Sequence, residues 1–326
     1  MILKPRPKPL PLQKLEAVIP RLEPNHRKLP NMKEDLAIRM KGYIGEKKVD
    51  YHLEDLANEA TILHSVCLEQ NGKKFEMDTI LVTNQSLYII ESKNYQRTIT
   101  FDTHFKQLIR TDGENETGYR YPITQAETQK RKLQNWFESH PFAQIPIYYF
   151  IAISEPSTIV QVIGNREAIA KVVGHAENIP NMILEKEHTI QKEKRRTPHF
   201  DHYKVGKLIL THCKEYDRDV LADHRISRKE LKPGVRCSVC GWLGMKRIYK
   251  KWLCPECKHA SRYAHKAALK EYFLLIKPWI TNKICRYWLQ IDSKSLATRI
   301  FKESNLKYDA KRKIWVEKNE GRAGKY

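Results

Sequence analysis

Two short runs, residues 75–80 and 89–94, flank the turn formers Thr83-Asn84-Gln85-Ser86 and read as the strands of one β-hairpin. With the turn centred between Asn84 and Gln85, directly opposed residues have numbers that sum to 169. Ile80 then faces Ile89, Val82 faces Leu87, and Asp78 faces Glu91. Opposed side chains have Cβ atoms only about 4.5–5.5 Å apart, and like charges placed so repel. Two anions on a largely apolar surface need a cation, or one must take up a proton. Lys93 lies two residues past Glu91 and points to the same side. Two carboxylates and an ammonium around a divalent metal ion suit phosphodiester hydrolysis.

Around that hairpin the chain reads as α/β. Residues 1–34 are rich in Pro and Lys and are expected to form an extended or loosely docked arm. A helical pattern runs from Met32 through Leu36, Ile38, Ile44, Val49, Leu53 and Leu56, with Gly42 and Gly45 either interrupting it or permitting close packing. Strand signals cover 61–68, 74–83, 86–93 and 98–102. Tyr121-Pro122 opens a second helix, proline suiting its first turn. Ala126, Leu133, Trp136 and Phe137 mark its apolar side, and Gln125, Gln129 and Lys132 a polar one. Residues 145–153 form an apolar run expected to be a doubly covered strand. The charged stretch 185–196 reads as a loop or helix end, and 203–213 as a helix closing the first domain. The expected divisions are an arm (1–34), an α/β domain (35–215), a polar connector (216–234), a zinc ribbon (235–260) and a basic helical C-terminal domain (261–326).

Length and composition, 326 residues at 41% hydrophobic and 30% charged, suit a folded protein of two or three domains. No apolar stretch reaches the 18 or so residues a membrane span needs, and the N-terminus lacks the apolar core of a signal peptide. A cytoplasmic protein without a membrane partner is expected. The net charge of +21 is lopsided: residues 231–326 hold 23 Lys+Arg against 7 Asp+Glu, or +16. That asymmetry points to a polyanion, nucleic acid before membrane.

Four of the seven cysteines form two knuckles, Cys237-Ser-Val-Cys240 and Cys254-Pro-Glu-Cys257, thirteen residues apart. Each can place two thiolates on one tetrahedral Zn²⁺, and Gly241 permits the tight turn. Trp242-Leu243, residues 247–249 and Trp252-Leu253 read as the short strands of a zinc ribbon. A closed four-thiolate shell leaves no position for water, so this zinc is structural. His259 and His265 lie close by, but the shell is already full. Beyond it, helices are expected at 264–276, 282–289 and 295–303, followed by a hairpin of 306–308 with 314–316. Either a winged-helix-like reader or a small helical bundle fits. Arg286, Lys294, Arg299, Lys302, Lys311, Arg312 and Lys313 would contact phosphates in both. Tyr287, Trp288 and Trp315 read as core.

The pattern of an acidic pair followed by a lysine two residues on resembles the PD-(D/E)xK nuclease superfamily. Gly42-Tyr43-Ile44-Gly45-Glu46, Met77-Asp78-Thr79-Ile80-Leu81, Ile90-Glu91-Ser92-Lys93-Asn94 and Tyr121-Pro122-Ile123-Thr124-Gln125 occur in the order of the nuclease-related domain (NERD) family. The resemblance covers about residues 38–155. The preceding Arg21-Leu22 and Leu29-Pro30 also resemble NERD proteins of Gram-positive bacteria. It implies a restriction-endonuclease-like mixed sheet flanked by helices. It also implies Mg²⁺ or Mn²⁺ held by Asp78 and Glu91, hard oxygen ligands for a hard cation. Lys93 would orient the attacking water or stabilise transition-state charge. Glu46 would supply a further ligand, and Gln125 would hold Lys93 or a phosphate. Where many relatives carry Gln before the Asp motif this chain has Glu76, read as facing away from Asp78. The implied function is a metal-dependent nuclease acting on nucleic acid, DNA before RNA, in bacterial DNA repair, processing or defence.

Plainer readings compete with it. Asp78–Lys93 fits a cross-strand ion pair with Glu91 exposed, Glu46 a surface carboxylate, and Gln125 a polar first-turn residue. The whole chain also fits a non-catalytic nucleic-acid-binding adaptor or a zinc-organised protein-interaction module.

Overall fold

The computed structural model describes residues 1–193 and 199–318. The end of the expected loop, 194–196, and the last stretch of the expected C-terminal domain, 319–326, lie outside the described residues. The chain opens with strand β1 (Ile2–Lys4), helix α1 (Leu10–Val18) and the long helix α2 (Leu29–Leu53). Strands β2 (Thr61–Gln70), β3 (Lys73–Val82) and β4 (Leu87–Lys93) follow as an antiparallel meander. Then come β5 (Thr98–Asp102), β6 (Gln107–Thr111), β7 (Glu116–Arg120), α3 (Pro122–Glu138) and β8 (Ile147–Ile153). Strand β9 (Ile159–Ile163), α4 (Arg166–Ala170), β10 (Val173–His175), α5 (Ile179–Lys192) and α6 (His202–His212) complete this part.

The chain divides into two compact units, one of Met1–Pro9 with Ile38–Tyr216, the other of Leu10–Ala37 with the chain from Asp217 onward. In the first, a six-stranded mixed sheet has the order β1-β2-β3-β4-β8-β10, with β4, β8 and β10 parallel. Leu87, Tyr88, Ile89 and Ile90 of β4 are all fully buried, as expected of a central strand covered on both faces. Ile80, Val82, Leu87 and Ile89 pack with Leu133, Trp136 and Phe137 of α3 and Val205 and Ile209 of α6. On the opposite face Leu81, Tyr88 and Ile90 pack with Val49 and Leu53 of α2 and Ile179 and Ile183 of α5. Gly45 lets α2 approach closely, since a Cβ there would lie 2.5 Å from Asn94 Cβ. A second sheet, β7-β6-β5-β9, packs through Ile99, Phe101 and Leu108 against Ile151 and Ile153 of β8 in the same unit.

The second unit holds α7 (Val220–Asp223), the ribbon strands β11 (Lys246–Ile248), β12 (Lys251–Leu253) and β13 (Ala260–Ser261), and α8 (Ala264–Leu275). Strand β14 (Trp279–Ile280), helices α9 (Asn282–Leu289) and α10 (Lys294–Glu303), and strands β15 (Leu306–Asp309) and β16 (Ile314–Glu317) follow. The order helix, strand, helix, helix, strand, strand, with sheet order β14-β16-β15, matches the winged-helix-like alternative and adds a strand that the sequence reading lacked.

Several expectations need correcting. The arm is not loosely docked: Leu12, Leu15 and Val18 of α1 are fully buried, and proline at its second position costs no helical hydrogen bond. Of the two readings of 185–196, loop or helix end, the second holds for residues 185–192, which complete α5. The connector contributes Val220, Leu221, Ile226 and Leu231 to a core shared with Leu15, Val18 and Met32. Ribbon and C-terminal helices are not separate domains either. Cys237, Trp252 and Cys254 share one cluster with Leu269, Tyr272, Trp288 and Ile300. Leu243 forms only an isolated bridge with Arg236, and Tyr287 is 61% exposed because the buried side of α9 is Cys285, Trp288 and Leu289.

Candidate active site and zinc site

Hairpin parity holds from Val82–Leu87 to Thr79–Ile90, every pair summing to 169, and the ladder ends there. Asp78 has no partner in either neighbouring ladder. On the β2 side, Ser65 is skipped between the pairs His64–Thr79 and Val66–Met77, and it adopts a left-handed φ of 51°. Asp78 is skipped opposite it, and pair numbers sum to 143 on both sides, so the ladder opens at one residue pair without an inserted residue. Met77 and Ile80 face the same core, and Asp78 escapes the alternation between them. Its carboxylate reaches β4 by accepting the Ser92 N–H at 2.8 Å, one residue beyond the expected partner.

Glu91, 2% exposed, is gripped from three directions. Lys93 Nζ donates to its Oε1 at 2.7 Å, Gln125 Nε2 to the same oxygen at 2.5 Å, and Gln129 Nε2 to Oε2 at 2.8 Å. Lys93 Nζ also donates to Gln125 Oε1 at 3.1 Å, closing a triangle. The reading that left Glu91 exposed is therefore corrected. Gln125 and Gln129 lie one helical turn apart on α3, which the Pro122 start aims at the strand end. Gln129 also donates to the Glu76 carbonyl at 3.0 Å, while the Glu76 residue as a whole is exposed.

The α2 side of the site holds a buried polar network that sequence reading missed. The Arg6 side chain is only 3% exposed. Its Nη1 donates to Glu46 Oε2 at 2.6 Å, and its Nε and Nη2 grip Asp50 at 2.7 and 2.8 Å in a two-pronged pairing. The same guanidinium donates to the Asp78 carbonyl, Thr79 Oγ1 and Ser65 Oγ. His64 Nδ1 lies 2.9 Å from Asp50 Oδ1 and 3.0 Å from Thr79 Oγ1.

Charge at the site follows from burial. Burial, then Glu91 and Glu46, drives the Asp78 carboxyl well above its ordinary range. Burial likewise raises Glu46 against the opposing pull of Arg6. Burial would lower Lys93, but Glu91 and Asp78 outweigh it and the ammonium is held above its ordinary value. A cation would relieve the repulsion between these carboxylates, and a hard divalent ion commonly takes one or two carboxylates and fills its shell with water and phosphate.

In the ribbon, Cys237 and Cys257 Sγ lie 3.6 Å apart, Cys240 and Cys254 Sγ 3.5 Å, and all four within 4.8 Å of one another. A tetrahedral ion with Zn–S bonds of about 2.3 Å requires edges of roughly 3.8 Å, so the sulfurs fit zinc. Gly241 has the left-handed φ of 76° that the knuckle turn needs. No other trio of His, Cys, Asp or Glu among the described residues converges so tightly. His265 is a core residue: burial lowers it to about 4, and its Nδ1 accepts from Trp252 Nε1 at 3.1 Å.

The seven basic candidates divide by exposure. Lys294, Arg299, Lys302, Lys311, Arg312 and Lys313 are exposed on α10 and the β15–β16 turn. Arg286 is half-buried and donates from Nη1 to the Asp292 carbonyl. No helix among the described residues is long and apolar enough to cross a membrane.

No curated protein matches the chain. Among solved structures it is similar to protein VC1899 from Vibrio cholerae, at 11% identity and a TM-score of 0.24. The match covers 51% of this chain and 37% of that one, so the chain spans well under half of that protein's length. Residues 41–154 match the sequence model of the nuclease-related domain, and that span includes Glu46, Asp78, Glu91, Lys93 and Gln125. The chain therefore carries a NERD, or nuclease-related, domain over residues 41–154.

Proposed function

We propose that this domain is a metal-dependent nuclease that hydrolyses phosphodiester bonds, in DNA before RNA, within bacterial DNA repair, processing or defence. The observation that carries the reading is the convergence at one strand end of half-buried Asp78, held by the Ser92 N–H, and buried Glu91, held by Lys93, Gln125 and Gln129. Asp78 and Glu91 would hold Mg²⁺ or Mn²⁺, which when bound polarises the phosphoryl oxygen and makes a nucleophile of water. Lys93 places positive charge where the pentavalent phosphorus accumulates negative charge. Gln125 and Gln129 fix the Glu91 carboxylate, and Ser92 N–H fixes that of Asp78. Glu46, taken up by Arg6, contributes to the field at Asp78. Structural Zn²⁺ in the ribbon, and the exposed cations of α10 and the β15–β16 turn, would fold and hold the nucleic-acid-binding part of a cytoplasmic protein.

A cleavage panel of linear, circular, single-stranded and branched DNA with Mg²⁺ and with Mn²⁺ tests this. Metal-dependent products that disappear in Asp78→Asn support it. One observation favours a second reading. Lys93 and Arg6 already pair with Glu91 and Glu46, which satisfies both carboxylates without a metal. A non-catalytic nucleic-acid-binding adaptor would bind every substrate and cut none.

A further inference from the structure

The ribbon exposes aromatic rings that its own core does not use. Trp252 is fully buried and joins Cys237 and Cys254 in the apolar cluster, yet Trp242 is 46% exposed, Tyr263 60% and Tyr249 83%. Residues 235–263 carry seven Lys and Arg against one Glu. Cations sit over two of the exposed rings: Lys250 Nζ is 5.1 Å from the Tyr249 centroid and Lys266 Nζ 4.8 Å from that of Tyr263. The small sheet orders these groups. Tyr249 and Lys250 make the β11–β12 turn, and Ser261 pairs with Trp252 at the end of the sheet, with Tyr263 two residues further on at the start of α8. Trp242 belongs to the first zinc knuckle, where the Cβ that Gly244 lacks would lie 3.3 Å from its Nε1.

From this we infer that the ribbon is a single-strand binding surface, with unpaired bases stacking on Trp242, Tyr249 and Tyr263 and phosphates held by the lysines beside them. Exposed rings interleaved with cations bind single strands because every unpaired base offers a π-face and every linkage an anion. Duplex DNA hides those faces and presents backbone and groove edges, which gives three exposed rings nothing to stack on. The seven-to-one excess of cations selects a polyanion over an apolar protein partner. The inference rests on the nucleic-acid reading of the chain and narrows its substrate to single-stranded or locally melted strands.

The test uses full-length, zinc-loaded Asp78→Asn protein, so that binding is read without cleavage. Fluorescence anisotropy compares a labelled oligothymidine with a hairpin duplex of equal phosphate number. The single strand should bind at least tenfold more tightly. Tyr249→Ala and Tyr263→Ala should each weaken it about tenfold. Duplex affinity and zinc content should stay within twofold. Trp242 is the one exposed tryptophan of six, so stacking should quench a fluorescence component that Trp242→Leu lacks. Equal affinity for both forms, or unchanged single-strand affinity in zinc-loaded ring variants, overturns the inference alone. Displacement of the oligonucleotide by polyglutamate at matched charge overturns it too, since the surface then reads charge rather than bases. Failure to bind any nucleic acid at low salt overturns both this inference and the substrate proposed above.

Discussion

Arg6 Nη1 donates to Glu46 Oε2 at 2.6 Å, while the rest of the same guanidinium clasps Asp50 and the backbone of Asp78. The first residues of the chain thus reach the floor of a site built from residues 40 to 73 positions later. Arg6 pairs with Glu46 as Lys93 pairs with Glu91, while the Asp78 carboxylate is held by the Ser92 N–H. Glu46→Gln should keep divalent-metal affinity within about threefold, since Arg6 retains its grip on Asp50. Mn²⁺ titration followed by electron paramagnetic resonance reads this directly, and a loss of tenfold or more makes Glu46 a ligand.

Removing Arg6 itself is a stability experiment. Arg6→Ala strands Glu46 and Asp50 in a buried setting, and breaking a buried ion pair from one side costs about 3–5 kcal/mol. Urea unfolding of the first unit should shift to match. A shift below about 1 kcal/mol would show that water reaches these carboxylates freely.

Asp78 should oppose folding in the absence of metal. Its raised pKa means that, from its ordinary 3.8 up to the raised value, the folded chain binds more protons than the unfolded one, so this group's contribution to stability falls as pH rises through that window. Asp78→Asn removes that slope and should stabilise the metal-free protein by about 1–2 kcal/mol, as is common when a strained active site is neutralised. Wild-type protein should gain about 2.7 kcal/mol from Mg²⁺ at a hundred times its Kd, and the variant close to none. Thermal melts from pH 5 to 8, with and without Mg²⁺, report both effects.

Gln129 acts through Glu91. Gln129→Leu removes one of the carboxylate's three donors, and losing a partner of a metal ligand typically lowers affinity or activity about 10–100-fold. The loss should appear as weaker Mn²⁺ binding with unfolding unchanged. Weakened folding with intact metal affinity would make Gln129 a packing residue.

The six exposed cations of α10 and the β15–β16 turn predict a salt signature. Replacing Lys311, Arg312 and Lys313 by Ala should weaken binding across sequences and flatten the slope of log K against log salt by about 2–3. An unchanged slope removes the turn from the interface.

What could be read without a structure follows from how local each signal is. The β3–β4 register was visible because a two-residue period and a short turn leave no freedom. The two Cys-x-x-Cys knuckles were equally visible, since each pair of ligands lies within four residues. The break in the β2–β3 ladder at Ser65 left no trace, because its left-handed residue is neither glycine nor asparagine. Asp78, opposite that break, accepts from the Ser92 amide instead of pairing with Glu91. Gln129 was placed on a polar helix face, and its burial depends on a carboxylate 38 positions away. Arg6 was hidden most thoroughly: prolines around it suggest an extended arm, and every partner it has is at least 40 residues distant.

The most direct measurement compares wild-type protein with Glu91→Gln in single-turnover cleavage of single-stranded DNA, with Mg²⁺ added to both. The wild type should cut only with the divalent ion, and the variant, short of one carboxylate for that ion, should be slower by about a hundred- to a thousandfold, the scale of losing one electrostatic contact to the transition state. Cleavage that proceeds equally in the variant, or that never occurs with any divalent ion, contradicts a cation site built on Asp78 and Glu91.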